Sequence, residues 1–133
     1  MKSVKGLAFS LIFQTLHPTT TAKSGDNMLG IKTDASLIVA LVSISWKREE
    51  DDVHVDATAR ELVSALERCA VEKGIYNRYK HMHYAGGEQD SIPGYGKGNK
   101  RRLQETSLKY DPQGIFQINC VGRFKLFGSP RHK

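Results

Sequence analysis

The apolar positions of this chain change period along its length. Leu7, Phe9, Leu11 and Phe13 alternate with Ala8, Ser10, Ile12 and Gln14. That period of two, with one strongly apolar face, predicts a β-strand. The stretch also has the outline of a secretory leader, with Lys2 and Lys5 before it and Thr20-Thr21-Ala22 after it. Its apolar run is at the short end for a leader, so the strand is the preferred reading. Residues 17–36 read as a loop, from His17-Pro18 through the threonines to Ser24-Gly25-Asp26-Asn27. Such a long connection is either functional or leans on something else. Leu37 to Trp46 predicts a second strand. Ile38, Ala40, Val42, Ile44 and Trp46 form one face and Leu37, Val39 and Leu41 the other. A strand apolar on both faces is expected in the interior of a sheet.

The period then becomes helical. Val55, Ala59, Leu62, Val63, Leu66 and Ala70 make one stripe and predict a helix over 51–73. Glu49, Glu50, Asp51 and Asp52 crowd its start, Arg68 and Lys73 lie near its end, and Gly74 follows as a C-cap. Residues 78–85 read as a third strand. Residues 86–98, rich in glycine, read as turns. Asn99 is placed to cap a second helix ending near Tyr110, before Asp111-Pro112. The tail to Lys133 reads as extended or irregular. Strand, strand, helix, strand is an α+β order, an antiparallel sheet backed by a helix.

Composition narrows the class. One domain fits in 133 residues, and 39% hydrophobic with 26% charged residues is a globular composition. The Leu37–Trp46 run is too short for a bilayer, which needs about 20 residues, so no membrane partner is expected. Two cysteines make neither a disulfide framework nor a four-thiolate zinc site. The net charge is +6, with basic residues gathered at Lys97, Lys100, Arg101 and Arg102 and at Arg123, Lys125, Arg131 and Lys133. The aromatic residues do not interleave with these as a base-stacking platform would, so no nucleic-acid partner is expected.

The polar cluster at 81–90 is where chemistry is expected: His81, His83, Tyr84, Glu88, Gln89 and Asp90. On a strand, His81 and His83 would share a face. Two imidazoles with Glu88 or Asp90 could ligate zinc or copper, but His-x-His alone is a weak signal and no metal is expected. Histidine is also a usable general base near neutral pH, and Tyr84 an acid or base if perturbed. Cys69, near the edge of the helical stripe, reads as a core residue. Gly94-Tyr95-Gly96-Lys97-Gly98-Asn99 lacks both phosphate-loop and dinucleotide fingerprints and reads as a tight loop feeding a helix.

Several phrases run in one order: Tyr84-Ala85, Gln89-Asp90, Gly94-Tyr95-Gly96 with Asn99, Leu103, Lys109-Tyr110-Asp111-Pro112-Gln113-Gly114-Ile115-Phe116-Gln117, and Gly122-Arg123-Phe124-Lys125-Leu126. In this order they closely resemble the C-terminal portion of berberine-bridge-enzyme-like, fungal-type FAD-linked oxidoreductases. Lys5-Gly6-Leu7, Ser45-Trp46-Lys47 and the acidic helix start are similar to the same proteins, so the resemblance covers nearly the whole chain.

What the resemblance implies is an incomplete substrate-side domain. Residues 1–98 would supply the substrate-side sheet and helix. Residues 99–133 would supply a helix and tail that pack on an FAD-binding region absent from this chain. The activity implied is oxidation of an alcohol, sugar or secondary metabolite by hydride transfer to FAD, with the small-molecule substrate bound on this side. Retention of FAD by this chain alone is not expected. His81 or Tyr84 would assist proton removal, and His83 and Asn99 would lie toward the cofactor. Family members usually read Tyr-x-Asn-Tyr-Ala where this chain has His81-Met82-His83-Tyr84-Ala85. Tyr84 is kept, while histidine stands in place of the first Tyr and of the Asn. Members are often secreted. The alternative, from another class, is a non-catalytic truncated remnant or dimerising module that associates through an open sheet edge. A small secreted basic protein is the third option, if residues 1–22 are a leader.

Overall fold

The computed structural model describes residues 4–23, 25, 27–31, 35–120 and 124–128. Lys2, Ser24, Asp26, Gly122, Arg123, Arg131 and Lys133, used above, lie outside the described residues. The elements are β1 (Ala8–Leu16), α1 (Pro18–Lys23), β2 (Leu37–Ser45), α2 (Asp52–Glu72), α3 (Lys97–Tyr110) and α4 (Ile115–Ile118), with 3-10 turns at Glu49–Asp51 and Ile92–Tyr95. The chain is α+β, as the order of periods predicts. It divides into two compact units: Met1–Thr15 with Ile38–Asn77, and Leu16–Leu37 with Arg78–Lys133.

In the first unit β1 and β2 pair as a two-stranded antiparallel sheet. The Lys47 N–H donates to the Lys5 carbonyl at 3.3 Å, carrying the pairing past both strand ends. Eight of the nine β1 residues are exposed. Among the described residues β2 has only β1 beside it, so the expected interior strand is a correction. Its two apolar faces are half-covered at different ends: Leu37, Val39 and Leu41 on one, Val42 and Ile44 on the other. After β2 the chain is tied by side chains. The Trp46 indole donates to Asp52 Oδ1 at 2.6 Å, and Arg48 Nε donates to Asp51 Oδ2 at 3.1 Å. Asp51 is fully buried, and the guanidinium compensates its charge.

Helix α2 follows its predicted stripe over its first half. Val55 is buried and Ala59, Leu62 and Val63 are half-buried, but Leu66 is 43% exposed. The helix closes with paired bonds from the Gly74 N–H to the Val71 carbonyl and from the Ile75 N–H to the Ala70 carbonyl. This is the Schellman arrangement, with glycine in the left-handed position. Cys69 is exposed, which corrects its assignment to the core. Leu66 and Val71, toward the end of α2, are also exposed.

The second unit has its core where the sequence suggests only turns. Ile31, Ser91, Ile92 and Tyr95 are buried. Residues 27–31 lie against the Ile92–Tyr95 turn. A Cβ on Gly30, whose φ is +69°, would stand 2.2 Å from the Tyr95 carbonyl oxygen, so only glycine permits this approach. The loop expected over 17–36 contains α1, started by Pro18 at a position where a missing N–H costs nothing. Residues 78–85 form no strand, a further correction. They turn at 82–84, with the Tyr84 N–H on the His81 carbonyl at 2.9 Å. The backbone at Arg78 and Tyr79 is taken up by close approach to Gly94 instead of by a ladder.

Helix α3 begins at Lys97 with Gly96 at its N-cap, three residues before the expected cap Asn99. Asn99, Lys100, Leu103, Gln104 and Ser107 form its half-buried face. The tail is not wholly irregular, because α4 follows. Asp111 accepts from the Ile115 and Phe116 N–H groups at 2.8 and 2.9 Å, capping α4. Gln117 Oε1 accepts from the Leu126 N–H, and Gln104 Nε2 donates to the Leu126 carbonyl. Much of the Lys109–Gln117 phrase therefore fixes one short helix and the segment 124–128. No helix among the described residues is long and apolar enough to cross a membrane.

Candidate functional site

The turn at 82–84 gathers rings. His81 and Tyr84 stack with centroids 4.2 Å apart at 21°. His83 lies 5.7 Å from His81, tilted by 49°. Tyr79 meets His81 edge-on at 6.4 Å and stacks on Tyr95 at 6.2 Å. Tyr95, Tyr79, His81 and Tyr84 thus form an unbroken run from the buried 3-10 turn to the surface. Each ring pair of this kind is worth about 0.5–1.5 kcal/mol beyond the area it buries. The packing explains why a segment with the alternation of a strand turns instead.

His81 is half-buried, whereas His83 and Tyr84 are exposed. The His81 Nδ1 atom is buried and has no hydrogen-bond partner among the described residues, and the same holds for Ser91 Oγ and Asn27 Oδ1. Buried polar atoms are nearly always satisfied, so three unsatisfied ones in one unit mark unspent capacity for a polar group. Burial pushes the Tyr79 phenol above its ordinary range. Burial does the same to Tyr95, with a further contribution from Tyr79 beside it. Both remain neutral phenols at ordinary pH.

The structure brings together His81, His83 and Tyr84, but through a turn and not through a shared strand face. Asn99 has other work. Its amide donates to the Asn27 carbonyl at 3.4 Å and to the Tyr95 carbonyl at 3.2 Å, tying residues 27–31 to the start of α3. Both bonds engage its Nδ2. Asp90 is also occupied, accepting from the Ile92 N–H at 3.1 Å. Among the described residues no three His, Cys, Asp or Glu side chains gather as a metal site. Tyr79, Tyr95, Ser91 and Asn27 were not legible as site residues. Only Tyr79 carried a signal, because it shares the spacing of His81 and His83. The rest depend on folds of the chain that bring distant turns together.

Known proteins give this geometry a context. The chain is 35% identical over 87% of its length to the FAD-dependent monooxygenase drtC of Aspergillus calidoustus. It is 37% identical over 77% of its length to the FAD-dependent monooxygenase tpcD of Cochliobolus heterostrophus. It is also 33% identical over 99% of its length to a fungal protein named for another activity, the oligopeptidase PhomG' of Diaporthe leptostromiformis. The chain spans 22%, 20% and 11% of these three proteins. Its homologues thus include fungal FAD-dependent monooxygenases. No family model matches the chain. No solved structure matches it either.

Proposed function

We propose that this chain is the substrate-side portion of an FAD-linked oxidoreductase of the berberine-bridge-like class, acting on an alcohol, sugar or secondary metabolite. The observation that carries this reading is the 35% identity to the Aspergillus monooxygenase over 87% of the chain. The ring cluster supports it. His81 Nδ1, Ser91 Oγ and Asn27 Oδ1 are the kind of unspent polar atoms that a polar ligand satisfies. FAD, when bound, would supply the two-electron acceptor.

The residues of this chain would act on the proton and on position. His81, half-buried beside Tyr84, takes the proton of a substrate hydroxyl through its imidazole. Tyr84, stacked on His81, holds the imidazole plane. His83, with its exposed ring beside His81, offers an N–H toward the cofactor. Asn99 contributes through Oδ1 and chiefly holds residues 27–31 and 95 in place.

A chimera tests the reading. The matching segment of the Aspergillus monooxygenase is replaced by this chain and assayed with that enzyme's own substrate. His81→Gln should lower the turnover about 10²–10⁴-fold, the range expected for losing a general base, while flavin content stays unchanged. Tyr84→Phe should cost less. Full turnover in the His81→Gln chimera would remove His81 from the mechanism.

A further inference from the structure

His81 meets two tyrosine rings in different ways. Tyr84 lies nearly parallel to the imidazole, at 21° with centroids 4.2 Å apart. Tyr79 stands across it, at 81° and 6.4 Å. A parallel partner fixes the plane of a flat ring but lets it slide within that plane. A perpendicular partner opposes the slide, and edge-to-face is a favoured arrangement of rings in its own right. The two partners also differ in how firmly they are held. Tyr84 is 41% exposed, at the surface. Tyr79 is half-buried and secured at two points. Its ring stacks on Tyr95 at 23° and 6.2 Å, and Tyr95 is buried in the core of this unit. Its backbone runs against Gly94, where an added Cβ would stand 2.5 Å from the Arg78 carbonyl oxygen and 3.6 Å from the Tyr79 Cα.

We propose that Tyr79 is a positioning residue for His81, its ring carrying the rigidity of the buried Ile92–Tyr95 turn to the imidazole. The proposal rests on the reading of His81 as a general base. Such a base must lie within hydrogen-bond reach of the proton it removes, about 2.6–3.2 Å, and a misplacement of about 1 Å costs about 10²-fold in rate. His81 opens the turn at 82–84 and lies in no helix or strand. The bond from the Tyr84 N–H to the His81 carbonyl fixes the main chain of that turn but not the imidazole. The ring therefore needs neighbours whose own rotamers are locked by packing, and Tyr79 is such a neighbour. Its contacts with His81 and Tyr95 are between rings, so phenylalanine should serve in its place and an aliphatic side chain should not.

The test pairs Tyr79→Leu with Tyr79→Phe and reads each in two ways. The first is NMR of the His81 ring protons in the whole chain, with the Ile31 methyl signals as the measure of an intact fold. Tyr79→Leu should move the His81 signals toward their unfolded positions and leave those of Ile31 in place, and Tyr79→Phe should leave both near the wild type. The second is the chimera described above, with kcat expressed per bound flavin. Tyr79→Leu should lower kcat about 10–10²-fold with KM held within about twofold, and Tyr79→Phe should restore kcat to within about twofold. If Tyr79→Leu lacks a cooperative urea transition, Tyr79→Met, which keeps apolar bulk without a ring, takes its place in both measurements. Unmoved His81 signals in the aliphatic variant would overturn the proposal. So would full kcat in that variant, or an equal loss of kcat in it and in Tyr79→Phe. Full turnover in the His81→Gln chimera, with the His81 signals of Tyr79→Leu displaced, would instead bring down the general-base reading and leave the positioning of the ring standing.

Discussion

Gly30 accepts no side chain, because the Tyr95 carbonyl occupies the space where a Cβ would go. Gly30→Ala combines that clash with a positive φ and should cost at least about 2 kcal/mol, read as a lower urea midpoint. Gly25→Ala is the control. It has a positive φ and, among the described residues, nothing within 4 Å, so it should lose only about 1 kcal/mol. Equal losses at the two positions would refute the close approach. The tyrosines make a second prediction at this scale. Burial raises the Tyr79 and Tyr95 phenols above the ordinary value of 10.0. The folded chain therefore holds protons there that the unfolded chain releases. The stability this represents is full below pH 10.0 and is lost as pH rises through the folded values. Tyr95→Phe should flatten that alkaline loss, measured by urea unfolding on either side of pH 10.0. An unchanged alkaline slope would contradict the burial of this phenol.

At the scale of elements, α4 depends on Asp111. Asp111→Ala removes the acceptor for two N–H groups and should cost about 1 kcal/mol, with hydrogen-exchange protection lost first at Ile115 and Phe116. Gln104 and Gln117 hold the two main-chain groups of Leu126. Gln104→Ala and Gln117→Ala should therefore be non-additive by about 0.5 kcal/mol or more in a double-mutant cycle. Additivity would separate the two contacts. Elements with a local signal were legible: the alternation of β1, the stripe of α2 and its glycine end. The segment 78–85 was not. Its alternation is that of a strand, but Tyr79 and His81 are used in ring packing with Tyr84 and Tyr95. Residues 86–98 looked like turns because glycine dominates them, yet Ser91, Ile92 and Tyr95 are buried there. The approach of residues 27–31 and the packing of Tyr79 on Tyr95 make them a core. The Lys109–Gln117 phrase was legible as words, and its structural reason appears only in the bonds of Asp111 and Gln117.

For the whole molecule, the chain spans 22% of the Aspergillus monooxygenase, and Leu7, Phe9, Leu11, Ile12 and Phe13 are exposed among the described residues. On the proposed function, the remainder of such a protein supplies the cofactor site and this chain supplies the proton chemistry at His81 and Tyr84. The most direct test is the visible absorbance spectrum of the purified chimera after incubation with FAD and removal of free flavin, with this chain alone beside it. The account predicts a retained flavin band in the chimera and none in the chain alone. A folded, soluble chimera without colour would contradict it.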